Sequence, residues 1–116
     1  MVYQDDAELA TISAAEVLAL PADGHWLLDV REQHEWDAGH APLAHHLPMS
    51  AIEERAAEIP SDRQVYVVCH SGQRSARVSD VLLRAGYDAV NVAGGMVAWL
   101  AAGGDIVAEG PDLPRV

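Results

Sequence analysis

The sequence predicts an α/β fold: a mainly parallel sheet of about five strands with helices on both faces, three layers in one domain. Three observations predict it. Short apolar or β-branched runs alternate with helix-like segments about five times, and that rhythm belongs to strand–helix–strand units whose connections cover both sides of a sheet. The 116 residues suit a single domain and leave no room for a second. Half of the residues are apolar, enough for a core. No internal repeat, low-complexity stretch or linker divides the chain.

The elements follow in order. Residues 9–12 read as a short strand. Ser13-Ala14-Ala15-Glu16 is a capping box, in which serine and glutamate each satisfy an orphan backbone donor at a helix start. That helix is expected to turn Val17, Leu18 and Leu20 inward and to stop at Pro21. His25-Trp26-Leu27-Leu28-Asp29-Val30 is a buried strand, a short apolar run ending in charge. Residues 31–38 are polar and predict a short helix closed by Gly39, and residues 44–47 a short strand. Ser50-Ala51-Ile52-Glu53 reads as a second capping box, opening a helix that ends before Pro60. Gln64-Val65-Tyr66-Val67-Val68 is the most strand-like segment. In residues 74–85 the apolar positions Val78, Val81, Leu82 and Ala85 recur at helical spacing, with Gly86 as the stop. Residues 88–92 form another strand, Gly94-Gly95 a turn, and 96–102 a last helix stopped by Gly103-Gly104. The tail has two prolines and no periodicity, so it is expected to lie along the surface or fray.

Charge narrows the function. Eighteen acidic residues face seven basic ones, all arginine, for a formal net charge of −11. Such a surface repels phosphate backbones, so nucleic acid is not expected as a partner. A small anionic substrate would need a local positive site, and Arg74 and Arg77 are placed to supply one beside Cys69. No apolar run approaches the ~20 residues that span a bilayer. The acidic start, Met1-Val2-Tyr3-Gln4-Asp5-Asp6, is unlike a secretory signal. One cysteine allows no internal disulfide. A cytoplasmic, soluble protein with no membrane partner is expected, a monomer by default for its size.

The single cysteine, Cys69, ends the most strand-like run and opens Cys69-His70-Ser71-Gly72-Gln73-Arg74-Ser75, just before a helix. Unpaired N–H groups and the positive end of the helix dipole converge there, which stabilises a thiolate and an anion beside it. Gly72 permits the tight turn, and successive N–H groups in such a turn form an anion-binding nest. Cys69 therefore reads as a nucleophile. His70 is either a helper of the thiolate or an exposed loop residue. Asp29 and Arg31 are expected to pair with each other or with neighbours and fix their strand end, supporting the site. His45-His46 is declined as a metal site, because adjacent strand residues point to opposite faces and no third ligand stands near. His40 reads as a turn residue, Trp26 and Trp99 as core, and Trp36 as rim or core.

The Cys69–Ser75 run resembles the active-site loop of the single-domain rhodanese (thiosulfate sulfurtransferase) family. Leu28-Asp29-Val30-Arg31-Glu32 with Glu35 and Gly39-His40 is similar to that family's first signature. Val90-Asn91-Val92-Ala93-Gly94-Gly95-Met96 with Trp99 is similar to its last, and Gly103-Gly104-Asp105-Ile106 to the segment closing the domain. The resemblance covers about residues 8–107 and implies a rhodanese-like fold for that core, with 108–116 as a surface tail. It also implies a sulfurtransferase in which Cys69 takes a sulfane sulfur from a small anionic donor such as thiosulfate. The resulting persulfide passes its sulfur to a thiophilic acceptor, cyanide or a thiol. Residues His70, Ser71, Gly72, Gln73, Arg74 and Ser75 would bind substrate, with Asp29, Arg31 and Arg77 in support and no metal or organic cofactor. An alternative is a sulfur-relay or redox-sensing module that accepts persulfide from a partner protein. Phosphatase or arsenate reductase chemistry is a third reading. The related dual-specificity phosphatases carry one more residue in this loop, and the shorter spacing here favours sulfur. The chain departs from the family at Ala41-Pro42-Leu43-Ala44, where a glycine usually follows the proline, so a different turn or a shifted strand is expected there.

Overall fold

The computed structural model describes residues 10–21 and 25–116. The acidic start and Leu9 of the expected first strand lie outside the described residues. Among the described residues five strands and five α-helices alternate: β1 (Thr11–Ser13), α1 (Ala14–Leu18), β2 (Trp26–Asp29), α2 (Gln33–Ala38), β3 (His45–His46), α3 (Ile52–Arg55), β4 (Gln64–Val68), α4 (Gln73–Arg84), β5 (Asp88–Ala93) and α5 (Gly95–Ala101). The strands form one sheet in the order β1-β5-β4-β2-β3, and every pairing in it is parallel.

Alternate residues of the central strands feed two apolar layers. Leu28, Val65, Val67 and Ala89 face Ile52 of α3 and Val78 and Leu82 of α4. Leu27, Tyr66, Val68, Val90 and Val92 face Ala14 and Val17 of α1 and Met96 and Trp99 of α5. A strand buried on both faces must be apolar throughout rather than alternating, which is why β4 reads as an unbroken run. Each fully buried Val or Leu contributes about 1.5–3 kcal/mol relative to exposure.

Local chemistry accounts for most element ends. The first capping box forms: Ser13 N–H donates to Glu16 Oε1 and Glu16 N–H to Ser13 Oγ, both at 3.0 Å. The second does not. Ser50 lies inside a single 3₁₀ turn, Met49–Ala51, and α3 begins from Ala51 with no side-chain cap. The Ser50 hydroxyl instead donates to Glu32 Oε1 at 3.1 Å, an alternative acceptor that outcompetes the local cap. α1 buries Val17, whereas Leu18 is exposed because the helix ends there after little more than one turn. On α4 the buried stripe is Ser75, Val78, Ser79 and Leu82, with Val81 and Ala85 exposed. Two serines hidden in the stripe displaced the apolar reading by three residues, nearly one helical turn.

At the departure from the family pattern, Ala44 N–H donates to Ala41 O at 3.1 Å, closing a turn with Leu43 at its tip, 64% exposed. No residue other than glycine takes a positive φ among the described residues, so this turn does not require glycine. The strand that follows starts at His45 rather than 44.

The tail does not fray. His40 and Val107 exchange N–H···O bonds of 2.9 Å, Glu109 N–H donates to Asp37 O, and Arg115 N–H donates to Ala38 O, both at 2.9 Å. A Cβ on Gly39 would meet the Arg115 backbone, so the strap lies directly on the end of α2.

Candidate active site

In an open parallel sheet, ligands collect beyond the carboxyl ends of strands where neighbouring connections run in opposite directions. Here that point lies between β4 and β2. The chain leaves β4 through α4 toward β5 on one side and leaves β2 through α2 toward β3 on the other. Cys69 follows β4, and Asp29-Val30-Arg31 ends β2, so both expected features meet at one crevice.

Cys69 sits at the base of its loop with 1% of its surface exposed. Its Sγ accepts from Gly72 N–H at 3.1 Å and from Ser75 N–H and Ser75 Oγ–H, each at 3.3 Å. Gly72 takes φ +109° as the residue before α4, the left-handed conformation that swings its N–H back toward the sulfur. Burial pushes the Cys69 thiol up. Hydrogen bonds from the Ser75 hydroxyl and from the N–H groups of Ser75, Gly72 and Ser71 outweigh burial and hold it below its ordinary value. The first turn of α4 adds the positive end of a 12-residue helix.

The back of the loop rests on α5. Met96 N–H donates to Cys69 O at 2.7 Å and Val97 N–H to His70 O at 3.1 Å. Gly95 takes φ +58°, and a Cβ there would collide with both of those carbonyl oxygens. The Gly94-Gly95 pair therefore allows close approach of two backbones as well as a turn.

The remaining predicted residues divide. Asp29 and Arg31, 0% and 1% exposed, form a buried pair: Arg31 NH2 lies 2.7 Å from Asp29 Oδ2, and its Nε and backbone N–H reach Oδ1 at 3.0 Å. Arg31 NH2 also donates to Gly39 O at 2.6 Å, tying β2 to the end of α2. The imidazole of His70 is exposed and makes no hydrogen bond to the sulfur, and Gln73 is exposed at the start of α4. Arg77 is exposed on the second turn of α4 with no ion pair among the described residues. Of the two arginines expected to supply a positive site beside Cys69, Arg74 is the one whose charge interacts with it.

Arg74 is also paired with Glu35. Its NH1 and NH2 lie 2.7 and 2.8 Å from the two carboxylate oxygens, a bidentate bond across the crevice from α4 to α2. The Arg74 hydrogen bonds hold the Glu35 carboxyl well below its usual range, at about 2, against the opposing effect of burial. Glu35 Oε1 also accepts Glu32 N–H at 3.1 Å, fixing the start of α2. Glu35 is the participant that residue-by-residue reading missed. Its signal was its place in the quoted signature, six residues past the end of β2 at Asp29.

Around this pair lie further structural contacts. His45 stacks on Trp26 with ring centroids 4.0 Å apart, while His46 stacks on Trp36 and its Nε2–H donates to Arg31 O at 2.7 Å. The two histidines thus serve different neighbours. His40 is more than a turn residue: it is buried, stacks on Trp36 at 3.5 Å, and its Nε2 lies 2.6 Å from Glu109 Oε2. Trp99 is buried, with its indole N–H donating to Asp105 O at 2.9 Å.

A family model for the rhodanese-like domain matches residues 13–102. This chain belongs to that family. A rhodanese-related protein from Thermoplasma volcanium superposes with a TM-score of 0.79 at 30% identity, covering 84% of this chain and 97% of that one. A thiosulfate sulfurtransferase from Pseudomonas aeruginosa gives 0.79 at 25% identity, over 92% of this chain and 22% of that one. Among relatives in sequence, a sulfurtransferase from Allochromatium vinosum is 43% identical over 83 residues, 71% of this chain and 78% of its own. The Bacillus subtilis protein YrkF, which carries the name of a sulfur carrier protein, is 38% identical over 74 residues, 63% of this chain. The rhodanese-like domain here spans only 40% of YrkF. No helix of the described residues is long and apolar enough to cross a membrane.

Proposed function

We propose that this rhodanese-like protein transfers a sulfane sulfur through a persulfide on Cys69. The single observation that carries the reading is the cradle at Sγ: N–H and O–H donors from Gly72 and Ser75 converge on one sulfur at 3.1–3.3 Å. In the first half-reaction the Cys69 thiolate attacks the outer sulfur of thiosulfate. The S–S bond of the donor breaks, its electron pair leaves on sulfite, and Cys69 retains the sulfur as Cys69–S–S⁻. The new terminal sulfur carries the charge into the space faced by the loop donors, which are already oriented and need no reorganisation. In the second half-reaction cyanide or a thiolate attacks that terminal sulfur, the bond to Sγ breaks, and the pair returns to Sγ as thiolate. The enzyme thus alternates between two forms in a double displacement. Arg74 enters this scheme as a brace that fixes the loop through Glu35, and Asp29–Arg31 as a brace for the facing strand end.

Intact-mass spectrometry after thiosulfate treatment tests the proposal. One added sulfur, about 32 Da, is expected on the wild-type chain and absent on Cys69→Ser. Thiocyanate formation retained by Cys69→Ser would sink it. The likeness to YrkF favours a second reading, a carrier that receives its sulfur from a protein. Slow turnover with thiosulfate but rapid loading from a protein-borne persulfide would select that version. Substantial hydrolysis of an aryl phosphate would select neither.

A further inference from the structure

Beside the catalytic loop, between α2 and the C-terminal strap, lies a cleft of about 280 Å³. His34, Glu35 and Ala38 of α2 line one side, His70 of the loop another, and Arg115 and Val116 of the strap the third. Typical small-molecule sites hold about 300–1,000 Å³, so this one matches an amino-acid- to dipeptide-sized ligand.

Its charges are unevenly committed. Arg31, which also borders the cleft, is spent on Asp29 and Gly39 O. Glu35 and the loop's own Arg74 neutralise each other. Arg115 is the permanent cation of the cleft with no acidic partner among the described residues. Its backbone is held, with the N–H donating to Ala38 O at 2.9 Å and the chain packed against Gly39, while the residue itself is exposed. On a chain with net charge −11, an unpaired guanidinium next to the reactive loop marks a place where a negative group is attracted rather than repelled. Ala38 and Val116 supply short apolar walls for an alkyl chain.

We propose that this cleft holds the carboxylate end of a small alkyl thiol, pairing it with Arg115 while the sulfur end reaches Cys69. The inference rests on the persulfide reading above and identifies its acceptor class. The transfer it serves is balanced: the acceptor thiolate attacks the outer sulfur of Cys69–S–S⁻, the bond to Sγ breaks, Sγ recovers the electron pair as thiolate, and the acceptor departs as R–S–S⁻.

The test loads the full chain with thiosulfate, removes excess donor, and follows discharge by intact mass with L-cysteine or with cysteamine, its decarboxylated analogue. General electrostatics alone favours cationic cysteamine on so acidic a protein. The proposal expects the reverse, L-cysteine faster by about tenfold, the worth of one charge-assisted pair. Arg115→Gln is expected to abolish or invert the preference and Arg115→Lys to keep part of it. Arg84→Gln, the same charge change at the opposite end of α4, should leave the ratio at the wild-type value. Cysteamine discharging the loaded protein as fast as L-cysteine, or a preference that survives Arg115→Gln, overturns the proposal while the persulfide reading stands. Failure to load at all overturns the persulfide reading instead. Binding is then read separately with S-methyl-L-cysteine, which cannot accept sulfur: amide shifts at Ala38 and Arg115 support the cleft, and their absence overturns it.

Discussion

The two strand ends that flank the crevice are built on opposite plans. After β4 the polar work is done by backbone N–H groups and one serine hydroxyl around a single sulfur. After β2 it is done by side chains, a buried Asp29–Arg31 pair with a further bond to Gly39 O. The first aims its donors at one atom, the sulfur that the proposed transfer would use. The second spends its charges chiefly on its own buried ion pair and on Gly39 O, which holds the strand end in place. A site of this kind needs both: one wall that accepts a passing charge and one that does not move.

The comparison can be broken from either side. The largest effect is expected at Cys69→Ser: complete loss of sulfur uptake by intact mass with little change in unfolding midpoint, because a near-isosteric atom keeps the loop packed. On the opposite wall, Asp29→Ala strands a buried guanidinium. A loss of about 3–5 kcal/mol in denaturant unfolding is expected, and an unchanged midpoint would show that the pair is dispensable.

Ser75→Ala probes the cradle more gently. The hydroxyl donates to the thiolate, so its removal raises the Cys69 pKa and lowers the thiolate share at neutral pH. A bond to a charged group is worth about 1.5–3 kcal/mol, so the midpoint of alkylation against pH should move up by at least about one unit.

The smallest effect is expected at the bridge between the walls. Glu35, held at about 2, contributes stability fully above the ordinary carboxylate pKa, and the contribution is lost as pH falls toward 2. Wild-type unfolding midpoints should therefore decline between about pH 5 and 2, with Glu35→Gln flatter across that window. At neutral pH Glu35→Gln should cost about 1–2 kcal/mol, allowing for solvent screening at a partly exposed pair.

Legibility in the sequence followed the range of the interaction. The strand Gln64–Val68 was readable residue for residue because burial on both faces demands an apolar run with no help from register. Ser13–Glu16 was readable because both partners lie within one turn. Ser50–Glu53 misled because an identical local pattern had a competitor, Glu32, 18 residues away. The stripe on α4 was displaced because Ser75 and Ser79 are buried against expectation, and Ser75 is buried in order to reach Cys69. The tail looked structureless because its order comes from backbone bonds to residues 37–40, which carry no periodic signal.

By itself the sequence determined which residues make up the loop that cradles the sulfur, since Cys69, Gly72 and Ser75 lie within seven residues and the N–H groups of Gly72 and Ser75 reach Sγ across one turn. Only the tertiary structure decided what faces that loop. The order β1-β5-β4-β2-β3 sets β2 beside β4, which brings Glu35 across to Arg74, 39 residues away, and lays Arg115 along the same cleft. Strand order is settled by which apolar layers pack together over the whole domain, and no segment encodes that choice on its own.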